Sequence, residues 1–344
     1  MYLDKSSQVA DTRITLSHSV GGRVGHELVE SIFVRELRNP LLEPLGDSAL
    51  LAAGRRQLAF TTDSYVVTPL FFPGGDIGEL AVNGTINNLA MSGARPAALS
   101  AAFIVEEGMP IADLKSIAAS MACASLRAGV PIATGDTKVV ESGKADGLFI
   151  NTSGVGCVDH GLPLGPTAIR PGDRVIVSGA IGEHGIAVMA ARGELDLDAE
   201  VRSDTAPLHV LVSKLMRATE SVRCLRDPTR GGIATGLAEL ALAAQVGITI
   251  DEAEIPVRKE ITSACEILGI DPLYVANEGK LIAIVSPEAA DSALAALRSH
   301  PLGREAAIIG EVTAASHAAF SVVSRTGETR TPEVPGRKAL ARLC

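Results

Sequence analysis

"HGLPLGPTAIRPGD" (160–173) runs straight into "RVIVSGAIGEHGIAVMAAR" (174–192), and reading these two stretches together decides how the chain is divided. The first has the proline and glycine of a domain boundary. The second reads as strand, glycine turn and helix, a unit that recurs in "GGIATGLAELALAAQVGITI" (231–250) and "GKLIAIVSPEAADSALAALRSH" (279–300), up to about residue 323. Upstream, "RQLAFTTDSYVV" (56–67), "AALSAAFIVEEG" (97–108) and "DGLFINTSGVGCV" (146–158) read as strands, and "IADLKSIAASMACASLRAG" (111–129) as an amphipathic helix stopped by Gly129. "SVGGRVGHELVESIFVREL" (19–37) predicts a helix behind a Gly-Gly turn, with Leu28, Ile32, Val34 and Leu37 on its apolar side. Both halves are mixed α/β, and 344 residues are too many for one ordinary core. The expected division is a lead-in and helix over 1–40, a first domain over 41–160, a second over 161–323, and a mobile tail over 324–344. The tail contains Pro332 and Pro335; about 15 flexible residues would give it a reach on the order of 20 Å.

Composition narrows the function. A net charge of -9 disfavours a nucleic-acid partner, which needs clustered cations. The opening residues lack a secretory apolar core, and runs such as "LALAA" (240–244) fall far short of the roughly 20 residues that span a bilayer, so a cytoplasmic protein without a membrane partner is expected. The five cysteines are odd in number, widely spaced and without a CxxC pair, which argues against a disulfide framework or a zinc site. Cys123, Cys157, Cys224 and Cys265 are expected to be inert core thiols. Cys344 alone lacks an apolar setting, and folding gives no reason to place a thiol there.

Four stretches put an acid beside a hydroxyl residue or glycine where strand meets loop: "LGDSA" with Asp47, "TTDSYVV" with Asp63, "ATGDTKVV" with Gly135, Asp136, Thr137 and Lys138, and "RDPTRGG" with Asp227 and Arg230. Asp and Gly are ordinary turn formers. Four such stretches, two with a cation, point to a nucleotide bound through Mg²⁺ and backbone amides. No GxxxxGK[ST] is present, and "GAIGEHG" (179–185) has the wrong spacing for a dinucleotide fingerprint. The Gly231-Gly232 turn opens a helix whose N-terminus would favour an anion. Glu278 in "ANEGKLI" is either a solvated turn acid or a general base. The histidines show no metal spacing.

"TDSYVVTPLFFPGGDIGELAVNGTINNLA" (62–90), "EEGMPIADLKSIAASM" (106–121), "GDTKVV" (135–140), "DPTRGG" (227–232), "ANEGKLI" (276–282) and Cys344 together resemble the HypE family of hydrogenase maturation factors, carbamoyl dehydratases of the aminoimidazole ribonucleotide synthetase and selenophosphate synthetase superfamily. The resemblance implies a two-domain α/β fold, with an N-terminal mixed-sheet domain forming a dimeric barrel and a C-terminal α/β domain closing the cleft. It implies ATP and Mg²⁺, a homodimer, HypF as carbamoyl donor and the HypC–HypD complex as cyano acceptor. The reaction would be dehydration of an S-carbamoyl group on Cys344 to a thiocyanate. By the same resemblance Asp47, Asp63 and Asp227 would hold the metal, Lys138 and Arg230 would face phosphoryl oxygens, and Asp136 or Glu278 would accept a proton. A glycine loop with His18, Gly21 and Gly22 would lie over the phosphates. The family usually has Asn-Asp where this chain has Asn87-Asn88, so a neutral amide stands at one metal position. The alternatives are a carrier or scaffold for the maturation partners, and a small-molecule kinase relative.

Overall fold

The computed structural model describes residues 14, 27–54, 56–195, 200–314, 319–332 and 343. The expected ligands His18, Gly21, Gly22 and Cys344 lie outside the described residues.

Among the described residues two main sheets organise the fold. The first is built from β1 (Ala49–Ala53), β2 (Arg56–Tyr65), β5 (Arg95–Glu106), β6 (Ile132–Val140) and β7 (Leu148–Val158), in the order β1-β2-β7-β5-β6. A two-stranded ribbon, β3 (Phe71–Phe72) with β4 (Gly75–Asp76), precedes its main helix. Ala59, Thr61 and Tyr65 of β2, and Ile150 and Thr152 of β7, alternate onto one buried face, as a period of two requires. That face is covered by α1 (Ile77–Met91) and, behind it, α2 (Ile111–Ala128).

Helix α1 escaped the periodicity reading because it has no polar face. Every residue in it except Glu79 and Asn88 is buried, which is how a helix enclosed on all sides reads. Asp76 caps it, accepting from the N–H groups of Gly78 (2.7 Å) and Glu79 (3.0 Å) and from the Ser120 hydroxyl (2.7 Å). Leu80 and Ile86 have no exposed surface, so truncating either to Ala costs about 2–5 kcal/mol. The opposite face of the sheet is open, with Phe60 and Ile104 more than two-fifths exposed, and β6 is exposed along nearly its whole length.

The second sheet comprises β8 (Arg174–Val177), β9 (Val222–Arg226), β10 (Gly247–Asp251), β11 (Ile282–Val285), β12 (Ala307–Thr313), β13 (Ala319–Val323) and β14 (Thr329–Arg330), in the order β14-β13-β10-β12-β8-β11-β9. It is mostly antiparallel, with β10 and β13 parallel. The helices are α3 (Glu183–Ala191), α4 (His209–Ala218), α5 (Gly232–Ala244), α6 (Lys259–Leu268) and α7 (Ala290–Arg298). Strand β11 is buried at every position, as a central strand covered on both sides must be.

Three expectations are corrected. The tail does not begin free at residue 324: Ser324 and Gly327 make a turn, and Thr329–Arg330 pairs antiparallel with β13, because the backbone of that edge strand offers ladder partners. Cys224 and Cys265 are buried, their thiols both pushed up to about 12 by burial, but Cys123 is exposed and Cys157 half-buried on the open sheet face. Residues 27–37 are helical, with a π-helical stretch at Val29–Val34, yet Ile32, Phe33 and Leu37 are exposed rather than packed.

Candidate active site

The two sheets meet where α1 ends. Asn87 on α1 donates from Nδ2 to the carbonyls of Ala206 and Glu278, both at 3.0 Å, and its Oδ1 accepts from Leu208 N–H at 2.7 Å. One amide thereby fixes two loops of the second domain on a helix of the first. A second amide, Asn277, donates to the carbonyl of Pro228 (3.1 Å) while its Oδ1 accepts from Gly182 N–H (2.7 Å). It draws the "DPTRGG" turn against the "ANEGKLI" loop, which brings Asp227 and Glu278 together. Gly231 and Gly232, both left-handed at φ 73° and 59°, let that turn enter α5 directly. Gly279 is required for closeness: a Cβ there would overlap the Asp204 carbonyl oxygen.

The resulting seam is rich in carboxyl groups. Asp47, just ahead of β1, lies with Oδ1 3.0 Å from Arg226 Nη1. Asp63 sits on β2 on the α1 side, and Asn88 Nδ2 approaches its Oδ2 at 3.5 Å. Asp227 is buried, and its carboxyl is pushed up to about 7, first by loss of water and then by Asp47, with Arg226 opposing. Glu278 is buried, and its Oε1 has no hydrogen-bond partner among the described residues. Burial holds its carboxyl well above the usual range, helped by Asp227, Asp204 and Asp63, while Arg230 pulls it down. A buried, partnerless carboxyl oxygen facing other acids is a group prepared to take a proton or a cation.

Sequence reasoning missed what holds Glu278. Its N–H donates to Asp204 Oδ1 (3.0 Å), and Asp204 Oδ2 is paired with Lys280 Nζ at 3.0 Å. Lys280 also reaches Glu183 (3.3 Å), which Arg258 holds at 3.0 Å. Lys280 lies within the quoted "ANEGKLI", but Asp204 is more than seventy positions away, and no local pattern announces it.

Other expected residues are placed elsewhere. Asp136 and Lys138 pair with each other at 2.6 Å on β6, opposite Ala102 and Ile104 of β5, on the face turned away from α1. Asp63 lies on the α1 face three strands away, about 14 Å at ordinary strand spacing. Gly135 and Thr137 lie on the same strand. Within one chain these four are not brought to the carboxyl cluster. The Lys138 ammonium also holds the Asp136 carboxyl below its ordinary value, which makes Asp136 a poor proton acceptor.

Among the described residues no group of three or more His, Cys, Asp or Glu side chains could by itself hold a metal ion. The oxygen-only donors at the seam fit Mg²⁺, which binds through one or two carboxylates and takes its other ligands from water and phosphate. No described helix is long and apolar enough to cross a membrane.

Comparison with known proteins agrees with this architecture. Residues 45–158 match the N-terminal domain, and residues 170–323 the C-terminal domain, of the AIR synthase related proteins. A protein named carbamoyl dehydratase HypE, from Rhizobium leguminosarum bv. viciae, is 52% identical over 337 residues, which cover 98% of this chain and 96% of that protein. A HypE–HypF complex superposes at TM-score 0.86 with 47% identity, covering 90% of this chain and 99% of that one. A HypE structure in complex with ATP gives 0.81 with 43% identity, covering 96% and 100%. The chain therefore belongs to the HypE family of AIR synthase related proteins.

Proposed function

We propose that the chain is an ATP-dependent carbamoyl dehydratase acting on an S-carbamoyl group carried by its own Cys344, and that it supplies the cyano ligand of [NiFe]-hydrogenase iron. The observation that carries this reading is the buried Glu278 carboxyl beside Asp227 at the seam, its Oε1 without a hydrogen-bond partner among the described residues, in a chain about half identical to named carbamoyl dehydratases.

A thiocarbamate does not lose water readily, because its oxygen leaves poorly. Its oxygen attacks the γ-phosphoryl group and ADP departs; one N–H proton is lost as the C=N bond forms. Loss of the second N–H proton then expels phosphate from carbon and leaves S–C≡N. Arg230, close enough to influence Glu278, would face the phosphoryl oxygens. Glu278, with its raised proton affinity and free Oε1, accepts a nitrogen proton. Asp47, Asp63 and Asp227 would hold Mg²⁺, which when bound offsets phosphate charge. A glycine loop with His18, Gly21 and Gly22 would cover the phosphates. Intact-mass analysis tests the reading: an S-carbamoylated sample given Mg-ATP loses the mass of one water, and a sample that keeps it overturns the activity.

The homodimer belongs to the same proposal. The open face of the first sheet carries Leu58, Phe60, Ile104 and Val155, and among the described residues β6 is an edge strand. A second copy on that face would cover both and would let Lys138 and Asp136 serve the partner's nucleotide. HypF as carbamoyl donor, the HypC–HypD complex as cyano acceptor and a cytoplasmic location complete the reading.

A further inference from the structure

Leu343 is buried, 3% exposed, although the sequence places it in a tail rich in proline and charge. Its carbonyl oxygen lies 2.6 Å from Nε2 of His184, which has no exposed surface. A carbonyl only accepts, so Nε2 carries the hydrogen; Nδ1 of the neutral ring then accepts from the Ser203 hydroxyl at 2.8 Å. The imidazole is held in turn by Phe72, whose ring meets it edge-on with centroids 5.4 Å apart. The Leu343 side chain fills the space beside Gly185, where an added Cβ would sit 3.4 Å from Leu343 Cδ1 and crowd Val275.

This pocket connects to Glu278 by two short routes. Gly185 N–H donates to the Ala276 carbonyl at 3.1 Å, two residues before Glu278. Ser203, the partner of His184, immediately precedes Asp204, which accepts from Glu278 N–H. Cys344 follows Leu343 directly in the sequence. A histidine buried against a backbone carbonyl from the last residues of the chain, and linked through one serine to the acid's own support, has no need of this arrangement for the core alone.

We propose that His184, with the pocket formed by Gly185 and Val275, is a docking subsite for the chain's own C-terminal segment, gripping the carbonyl and side chain of Leu343 and thereby setting the reach of Cys344 towards Glu278. The role assigned to Cys344 rests on the dehydratase reading; the docking itself does not. His184 is a positioning residue that acts through the backbone next to the modified thiol.

The test uses the full chain with selectively labelled leucine methyl groups, the Leu343 signals being assigned by their loss in Leu343→Ala. In the wild type these signals have the dispersed shifts of a packed side chain. They stay there in His184→Gln, whose amide keeps a donor, and collapse to mobile-chain positions in His184→Ala. In the S-carbamoylated protein, His184→Ala and Leu343→Asp each slow single-turnover dehydration at least about tenfold with nucleotide affinity unchanged, while His184→Gln stays within about threefold. Leu343→Asp lies outside the sheets and guards against a result due only to damage at His184. Mobile-chain Leu343 signals in the wild type, or undiminished dehydration in both variants, overturn the proposal. A wild-type protein that docks Leu343 but does not dehydrate defeats the dehydratase reading and leaves the subsite standing.

Discussion

Arg226, the last residue of β9, holds Asp47 of the first domain at 3.0 Å while its other terminal nitrogen holds Glu239 of α5 at 2.8 Å. It is the cation that keeps a group of acids compatible with burial. Arg226→Ala removes the cation paired with Asp47 beside Asp227, and a loss of about 3–5 kcal/mol is expected. Urea denaturation measures it, and a change below about 1 kcal/mol would show that the pair contributes little.

Glu278→Gln keeps the shape of the side chain and removes its ability to take a proton. Dehydration of S-carbamoylated Cys344 should fall by about a hundredfold or more, while nucleotide binding, measured by calorimetry, is retained. Unimpaired water loss would remove Glu278 from the mechanism.

Asn88→Asp places a carboxylate where the Asn88 amide now approaches Asp63 at 3.5 Å. A further anionic oxygen strengthens a hard-cation site, so ATP turnover should reach half its maximum at a lower Mg²⁺ concentration. A carrier without chemistry would show the same ATP turnover before and after the exchange.

Lys138 and the carboxyl cluster lie on opposite faces of one sheet, so the dimer reading makes a sharp demand. Lys138→Ala and Asp227→Asn, each inactive alone, should recover partial activity when their subunits are mixed and allowed to exchange. No recovery in verified mixed dimers would mean that Lys138 does not serve a partner's site.

Burial holds the His184 imidazole below its ordinary value of 6.5, with Arg192 acting in the same direction and Asp204 opposing. The unfolded chain therefore binds a proton that the folded one refuses. Stability should fall as pH drops below about 6.5 and keep falling towards the depressed folded value, by up to about 1.4 kcal/mol per pH unit. His184→Gln should flatten this part of the profile in thermal melts taken between pH 7 and pH 5; an unchanged slope would assign the acid sensitivity elsewhere.

The parts of the fold legible in the sequence were those with a clean period. β2, β5, β7 and α2 each bury one face, and the strand-turn-helix units of the second domain repeat visibly. Helix α1 was not read from periodicity because burial on every side erases the pattern, and β6 was hidden for the opposite reason, being polar and exposed along its length. Asp47, Asp63, Asp227 and Glu278 stand out in the sequence as acids beside strands and through the family likeness. Their convergence depends on Asn87 and Asn277, ordinary amides whose partners are far away in the chain. His184 stood inside "GAIGEHG", a stretch set aside for its spacing, where Gly182 in fact turns the chain into α3 and Gly185 makes room beside Leu343.

Asn87 is uncharged, and its three bonds do not weaken when the surrounding acids gain or lose protons or meet a cation. It behaves as a rivet through both halves of the molecule. Any gaping of the cleft to admit nucleotide must therefore swing about the Asn87 end of α1, with the widest excursion at the rim farthest from it, so that loading and release are expected to leave the Glu278 backbone almost stationary.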